Sequence, residues 1–166
     1  MMRRALPLIL CAVLGACGLR PVYSGGSGGS VAETLRTIQV GPIAGQAGWL
    51  VRNRLVDRLG ASGSAEPAYR LDITLDDSLT SFGIRGDRAA TRERRTLRAR
   101  FQLVRLSTGL VVLDATAGSD AGIDIVSSEY ATVAAEQTAL ENLAGALADQ
   151  IVARLATYGG RNQPPQ

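Results

Sequence analysis

Eight arginines, Arg85, Arg88, Arg92, Arg94, Arg95, Arg98, Arg100 and Arg105, crowd one stretch of the chain with only Asp87 and Glu93 between them. A guanidinium stays charged at any working pH and shuttles no protons, but its planar fork of donors fits a phosphate or a carboxylate in bidentate fashion. Arg92, Arg94, Arg98 and Arg100 share parity. On an extended strand they make a ladder on one face, at about 6.6 Å per two-residue step, able to meet several phosphates. Pairing with acids is the competing use of the same charge: a hairpin turning about Gly86 puts Asp72 opposite Arg100 and Asp76 near Thr96. Arg85, Arg88, Arg92 and Arg94 stand nearer the hairpin tip, where fewer acids are at hand. The candidate anion-binding residues are therefore Arg85, Arg88, Arg92, Arg94, Arg98 and Arg100.

Conventional catalysis lacks its reagents. All 18 basic residues are arginine, with no lysine and no histidine, which removes Schiff-base chemistry, a Walker lysine, a histidine base and histidine metal ligands. The serines have no base to activate them and read as caps and loop residues. Asp76 and Asp77 are adjacent on a strand and face opposite ways, so they cannot share a proton. A metal site would need carboxylates alone, and no spacing suggests one. No enzyme, cofactor or metal is expected.

The first segment reads as an address. Arg3 and Arg4 precede an almost wholly apolar run from Leu6 to Leu14, which closes on Leu14-Gly15-Ala16-Cys17. The run is far short of the roughly 20 residues a spanning helix needs. A general secretory signal or a short buried helix would use similar residues, but the box resembles the bacterial lipobox, in which the cysteine becomes the first, lipid-modified residue of the mature chain. Cys17 is the expected lipidation site, and Gly18 and Leu19 after it resemble the pattern sorted to the outer membrane. Cys11 leaves with the signal. Processing also removes Arg3 and Arg4, leaving 16 basic against 15 acidic residues and a formal charge of only +1. Bulk attraction to nucleic acid is therefore not supported.

The chain has 166 residues, enough for one domain with an ordinary core. The expected parts are a signal over 1–16, a lipidated Gly/Ser-rich tether over 17–32, a single α+β domain over 33–159 and a polar tail over 160–166. Leu35, Thr37 or Ile38, and Val40 suggest a first strand from Thr34 to Val40, ended by Gly41-Pro42. Trp49, Leu50, Val51, Leu55, Val56 and Leu59 recur at helical spacing, with Trp49 expected in the core and a partner contact as its lesser alternative. Tyr69, Leu71, Ile73 and Leu75 alternate as a half-buried strand, and Leu97, Ala99, Phe101 and Leu103 repeat the parity. Ser107-Thr108-Gly109 reads as a hairpin loop leading into a strand from Leu110 to Ala117, in a register placing Leu103 opposite Leu113 and Phe101 opposite Ala115. A long helix capped by Ser127 or Ser128 carries Val133, Leu140, Leu143, Leu147, Ile151 and Leu155 on one face and stops at Gly159-Gly160. The fold class is α+β, in the order β-α-β-β-β-α: a four-stranded, mostly antiparallel sheet with two helices on one face.

The lipobox, the run Cys17-Gly18-Leu19-Arg20-Pro21-Val22-Tyr23 and this element order together resemble LptE, the lipopolysaccharide-assembly lipoprotein family of Gram-negative outer membranes. The resemblance implies a protein without catalytic role, held to the outer membrane by lipid on Cys17. It also implies that the protein plugs and helps assemble an LptD-type β-barrel, and contacts lipopolysaccharide as it passes to the cell surface. The absence of lysine departs from enterobacterial relatives. Arg85, Arg88, Arg92, Arg94, Arg98 and Arg100 would have to take the place of family lysines facing lipid A. The alternative from another class is a periplasmic auxiliary lipoprotein of an ABC-type lipid transporter. A peptidoglycan-modifying enzyme is disfavoured by the missing acid and base.

Overall fold

A computed structural model describes residues 29–61, 65–84 and 90–161. The signal, Cys17, nearly all of the Gly/Ser run, Arg85, Arg88 and the last five residues of the tail lie outside the described residues. The elements are α1 (Ser30–Arg36), β1 (Ile38–Val40), α2 (Gly45–Leu59), β2 (Tyr69–Ile84), β3 (Ala90–Arg105), β4 (Val111–Asp124) and α3 (Glu129–Arg161). The strands form one sheet in the order β1-β2-β3-β4, with β1 parallel to β2 and the other pairs antiparallel. The fold is α+β, as the periodicities predict.

Alternation decides which side of the sheet is dry. Leu71, Leu97, Phe101 and Leu103 are fully or almost fully buried and point to one face, where Val51 and Leu55 of α2 meet Leu140, Leu147, Ile151 and Leu155 of α3. Each such side chain contributes about 1.5–3 kcal/mol on burial. Register confirms the expected pairing of Leu103 with Leu113 and Phe101 with Ala115. The two longer helices run parallel to each other. Gln46 donates to Gln137 Oε1 at 3.0 Å near one end, and Arg58 donates to Asp149 Oδ2 at 3.1 Å near the other. The β3–β4 turn is closed by Gly109 N–H donating to the Arg105 carbonyl at 2.8 Å, and Gly109 takes a φ of +68° that a side chain would strain.

Several expectations are corrected. Residues 34–36 belong to a helix rather than a strand: Val31 and Leu35, one turn apart, pack inward, with Glu33 in the first turn and Arg36 in the last. Only Ile38, Gln39 and Val40 remain as strand, buried, exposed and buried in turn. Trp49 is 63% exposed, not core. The buried stripe of α2 is Ala47, Val51, Leu55 and Leu59, and two residues along a helix turn Trp49 about 200° away from Val51. Val133 shares the angular position of the α3 stripe but is 58% exposed, because the first turns of that helix run beyond the packed part of the core. The helix starts at Glu129 under Ser128, whose Oγ accepts from Ala131 N–H at 3.4 Å, and it runs through Gly159 and Gly160 to Arg161. It is about 50 Å long. The fourth strand continues past Ala117 to Asp124, giving Arg92 and Arg94 partners beside them.

Candidate anion-binding face

The outer face of the sheet is built by the even-numbered residues of β2 and β3, which alternate with the core set. Arg92, Arg94, Arg98 and Arg100 all stand there on β3, exposed, as their parity requires. The structure therefore brings together four of the six arginines singled out, while Arg85 and Arg88 lie outside the described residues. Acids border the row on both sides, Asp72 and Asp76 on β2 and Asp114, Asp120 and Asp124 on β4. With Arg70 of β2 included, the described part of this face carries five arginines and five aspartates.

The pairing of β2 with β3 is displaced by two residues from the expected register. Asp72 lies opposite Gln102 rather than Arg100, and Asp76 opposite Arg98 rather than Thr96. A two-residue slide keeps every side chain on its face, so the apolar pattern cannot detect it. Its effect is to change which acids stand beside which arginines. Asp72 accepts from Arg70 on its own strand, at 2.9 and 3.0 Å, while Arg100 turns to β4 and grips Asp114 at 3.1 and 2.7 Å. Gln102 adds a third bond to Asp114 at 2.9 Å. Arg100 and Gln102 together hold the Asp114 carboxyl down to about 2, below the ordinary carboxylate range.

The remaining arginines grade from paired to open. Arg92 bonds Asp124 at 2.7 Å, and Arg94 reaches only 3.9 Å from Asp120 while its guanidinium sits 5.7 Å above the Phe82 ring. Arg98 makes no ion pair within 4 Å among the described residues. It lies over Gly118 of β4, where a Cβ would come 3.4 Å from its Cγ and Nη1, so a bare backbone leaves room for its side chain. All these groups are largely in water, where an ion pair contributes about 0–1 kcal/mol, so an anion with several oxygens can compete for them.

The candidate set leaves out two of the eight arginines of the run, Arg95 and Arg105. Arg95 faces the helices, where it bonds Asp77 bidentately at 2.7 and 2.9 Å and donates to the Glu136 carbonyl of α3 at 3.5 Å. Its parity with Leu97 was the available signal. Beside it, Ser81 Oγ donates to Glu93 Oε1 at 2.9 Å, and the buried Oε2 of Glu93 has no partner among the described residues. Asp76 and Asp77 face opposite sides of the sheet. No group of acids, cysteines or histidines fit to hold a metal occurs among the described residues.

The model of the LptE lipopolysaccharide-assembly family matches residues 35–155. A protein of Caulobacter crescentus CB15 described as a lipoprotein superposes with a TM-score of 0.67 at 27% identity, over 82% of this chain and 100% of that one. Rare lipoprotein B from Shewanella oneidensis superposes with a TM-score of 0.58 at 12% identity, over 75% of this chain and 96% of its own. A minor lipoprotein from Acinetobacter baumannii reaches 0.55 at 14% identity, over 76% and 96% respectively. The last two are similar to this chain in fold alone. A comparison with curated proteins gives no match.

Proposed function

The chain belongs to the LptE lipopolysaccharide-assembly family, and from that premise we propose an outer-membrane lipoprotein, processed before Cys17 and anchored through lipid on it, that seats in the lumen of an LptD-type β-barrel. In this reading the domain starts as a single unit after the Gly/Ser tether. Its sheet presents the β3 arginines to phosphates of lipopolysaccharide, and the work is binding and delivery rather than bond-making. Arg98 is the observation that carries the reading. It stands at the middle of the arginine row with no ion pair among the described residues, beside Arg94 with only a long one. A lumen is the polar side of a barrel, and the outer face of this sheet is polar and charge-balanced, which suits water-lined contact without net repulsion.

Arg94→Ala combined with Arg98→Ala in the full mature chain is expected to weaken binding to purified lipopolysaccharide more than Arg92→Ala combined with Arg100→Ala, whose parents already face acids. A folded Arg94/Arg98 variant that binds as tightly as the parent overturns the phosphate assignment. Affinity capture of the anchored chain with mass spectrometry tests the partner. Recovery of a large outer-membrane barrel supports the plug, whereas recovery of inner-membrane transporter subunits in its place overturns it. Cys17→Ser is expected to abolish lipid attachment, and a variant still lipidated would overturn the anchor.

A further inference from the structure

The turn between β3 and β4 carries an exposed apolar cluster at the end of the domain where the chain enters it. Leu106, Leu110 and Val111 are 41%, 63% and 51% exposed. The turn that presents them is closed by backbone bonds: Arg105 N–H donates to the Leu110 carbonyl at 2.9 Å, Gly109 N–H to the Arg105 carbonyl at 2.8 Å and Leu106 N–H to the Ala68 carbonyl at 3.0 Å. Its place in the fold follows from contacts. Arg105 lies 6.0 Å from the centre of the Tyr69 ring, Ala68 and Tyr69 donate to the Thr37 carbonyl at the end of α1, and Gly159 in the last turn of α3 lies beside Val31 and Thr34 of α1. The first described residues, the end of α3 and this turn therefore share one end of the molecule, opposite the long β2–β3 hairpin.

The N-terminal chain outside the described residues carries the box Leu14-Gly15-Ala16-Cys17. From Cys17 to Gly29 it spans at most about 40 Å even when fully extended, less than the length of α3, so a lipid on Cys17 holds this end toward the bilayer. We propose that the β3–β4 turn is a membrane-surface contact, in which Leu106, Leu110 and Val111 enter the headgroup region of the bilayer that carries the anchor. This rests on the reading of Cys17 as lipidated. Charges around this end nearly balance, with Arg36, Arg105 and Arg161 against Glu33 and Glu66. Apolar insertion and not lipid charge therefore carries the contact, and the backbone groups at the tip of the turn find partners in the hydrated headgroup region.

The test uses the full lipidated chain in vesicles of phosphatidylethanolamine and phosphatidylglycerol, with Trp49→Phe as background and one tryptophan returned, either as Leu110→Trp or, on the distal hairpin, as Leu79→Trp. Flotation with the vesicles reports the anchor separately. For floated protein, the expected result is a blue-shifted Leu110→Trp emission that lipids brominated near the headgroup quench, at low and high salt alike, with Leu79→Trp unaffected. Floated protein with an unshifted, unquenched Leu110→Trp overturns the proposal while leaving the anchor standing. Failure to float overturns the anchor instead. A Leu110→Trp signal that shifts only when a barrel protein is added overturns the proposal in favour of a protein contact.

Discussion

Arg95 and Asp77 lie on the side of the sheet that the helices cover, with side chains only 17% and 27% exposed. A half-buried pair depends on both members: removing one strands the other, whereas replacing both by apolar groups removes the need for either. Arg95→Met or Asp77→Leu alone is expected to lower stability by about 1–3 kcal/mol in urea denaturation, and the double variant by less than the sum of the two. On the outer face the same chemistry gives a titration and not a stability effect of consequence. Asp114 is depressed to about 2 by Arg100 and Gln102. The stabilisation from a depressed carboxyl is complete above the unfolded value and is lost as pH falls through the folded one, so this contact weakens only below about pH 4. Arg100→Ala is expected to raise the Asp114 pKa toward the ordinary range, read by NMR of the side-chain carboxyl carbon. An unchanged value would show that Gln102 alone sets it.

At the scale of elements, the helix α3 and the strand β3 do most of the positioning. Phe101 is fully buried between sheet and helices, while Gln102, the next residue, points outward to Asp114. Phe101→Ala is expected to cost about 3–5 kcal/mol, and Gln102→Ala under about 1 kcal/mol, by thermal or urea unfolding. Similar costs would contradict the assignment of faces. The end of α3 gives a prediction of opposite sign. Glycine weakens a helix interior, yet the last turn of this helix holds two beyond Gly145, and a Cβ on Gly159 would meet only ordinary contacts at 3.8 Å with Val31 and Thr34, while one on Gly160 meets nothing within 4 Å. Gly159→Ala and Gly160→Ala are each expected to stabilise by about 0.5–1 kcal/mol. Loss of stability would mean that the last turn of α3 gives way to another conformation.

For the whole molecule, the mature chain expected after processing carries a formal charge of +1, and the described outer face balances five arginines against five aspartates. Attraction to a polyanion therefore acts at short range, through particular guanidinium groups, and not through a field that gathers anions from a distance. Binding of the mature chain to lipopolysaccharide is expected to fall only moderately between low and physiological salt, and Arg98→Ala to flatten that dependence further. A steep loss of affinity with salt would point to the arginines near the hairpin tip, Arg85 and Arg88, as the main contact.

Periodicity along the chain determined which residues face the core: the parity of Leu97, Phe101 and Leu103, their match with Leu113 and Ala115, and the stripe from Leu140 to Leu155. It also put Arg92, Arg94, Arg98 and Arg100 on one face, and the absence of lysine and histidine narrowed the chemistry before any fold was known. Those are local properties, carried by neighbours two to four residues apart. Only the tertiary structure decided which of these arginines are occupied. Arg100 bonds Asp114 and Arg92 bonds Asp124, both across β3 and β4, while Arg98 lies over Gly118 without an ion pair among the described residues, although a slide of two residues between β2 and β3, which preserves every face while changing every opposite neighbour, sets Asp76 across from it. The same holds for Trp49 and Val133, whose burial depends on where a second element covers the helix. An ion pair forms or fails over a few ångströms between residues distant in sequence, and that distance is set by how strands and helices stack, not by any pattern within one of them.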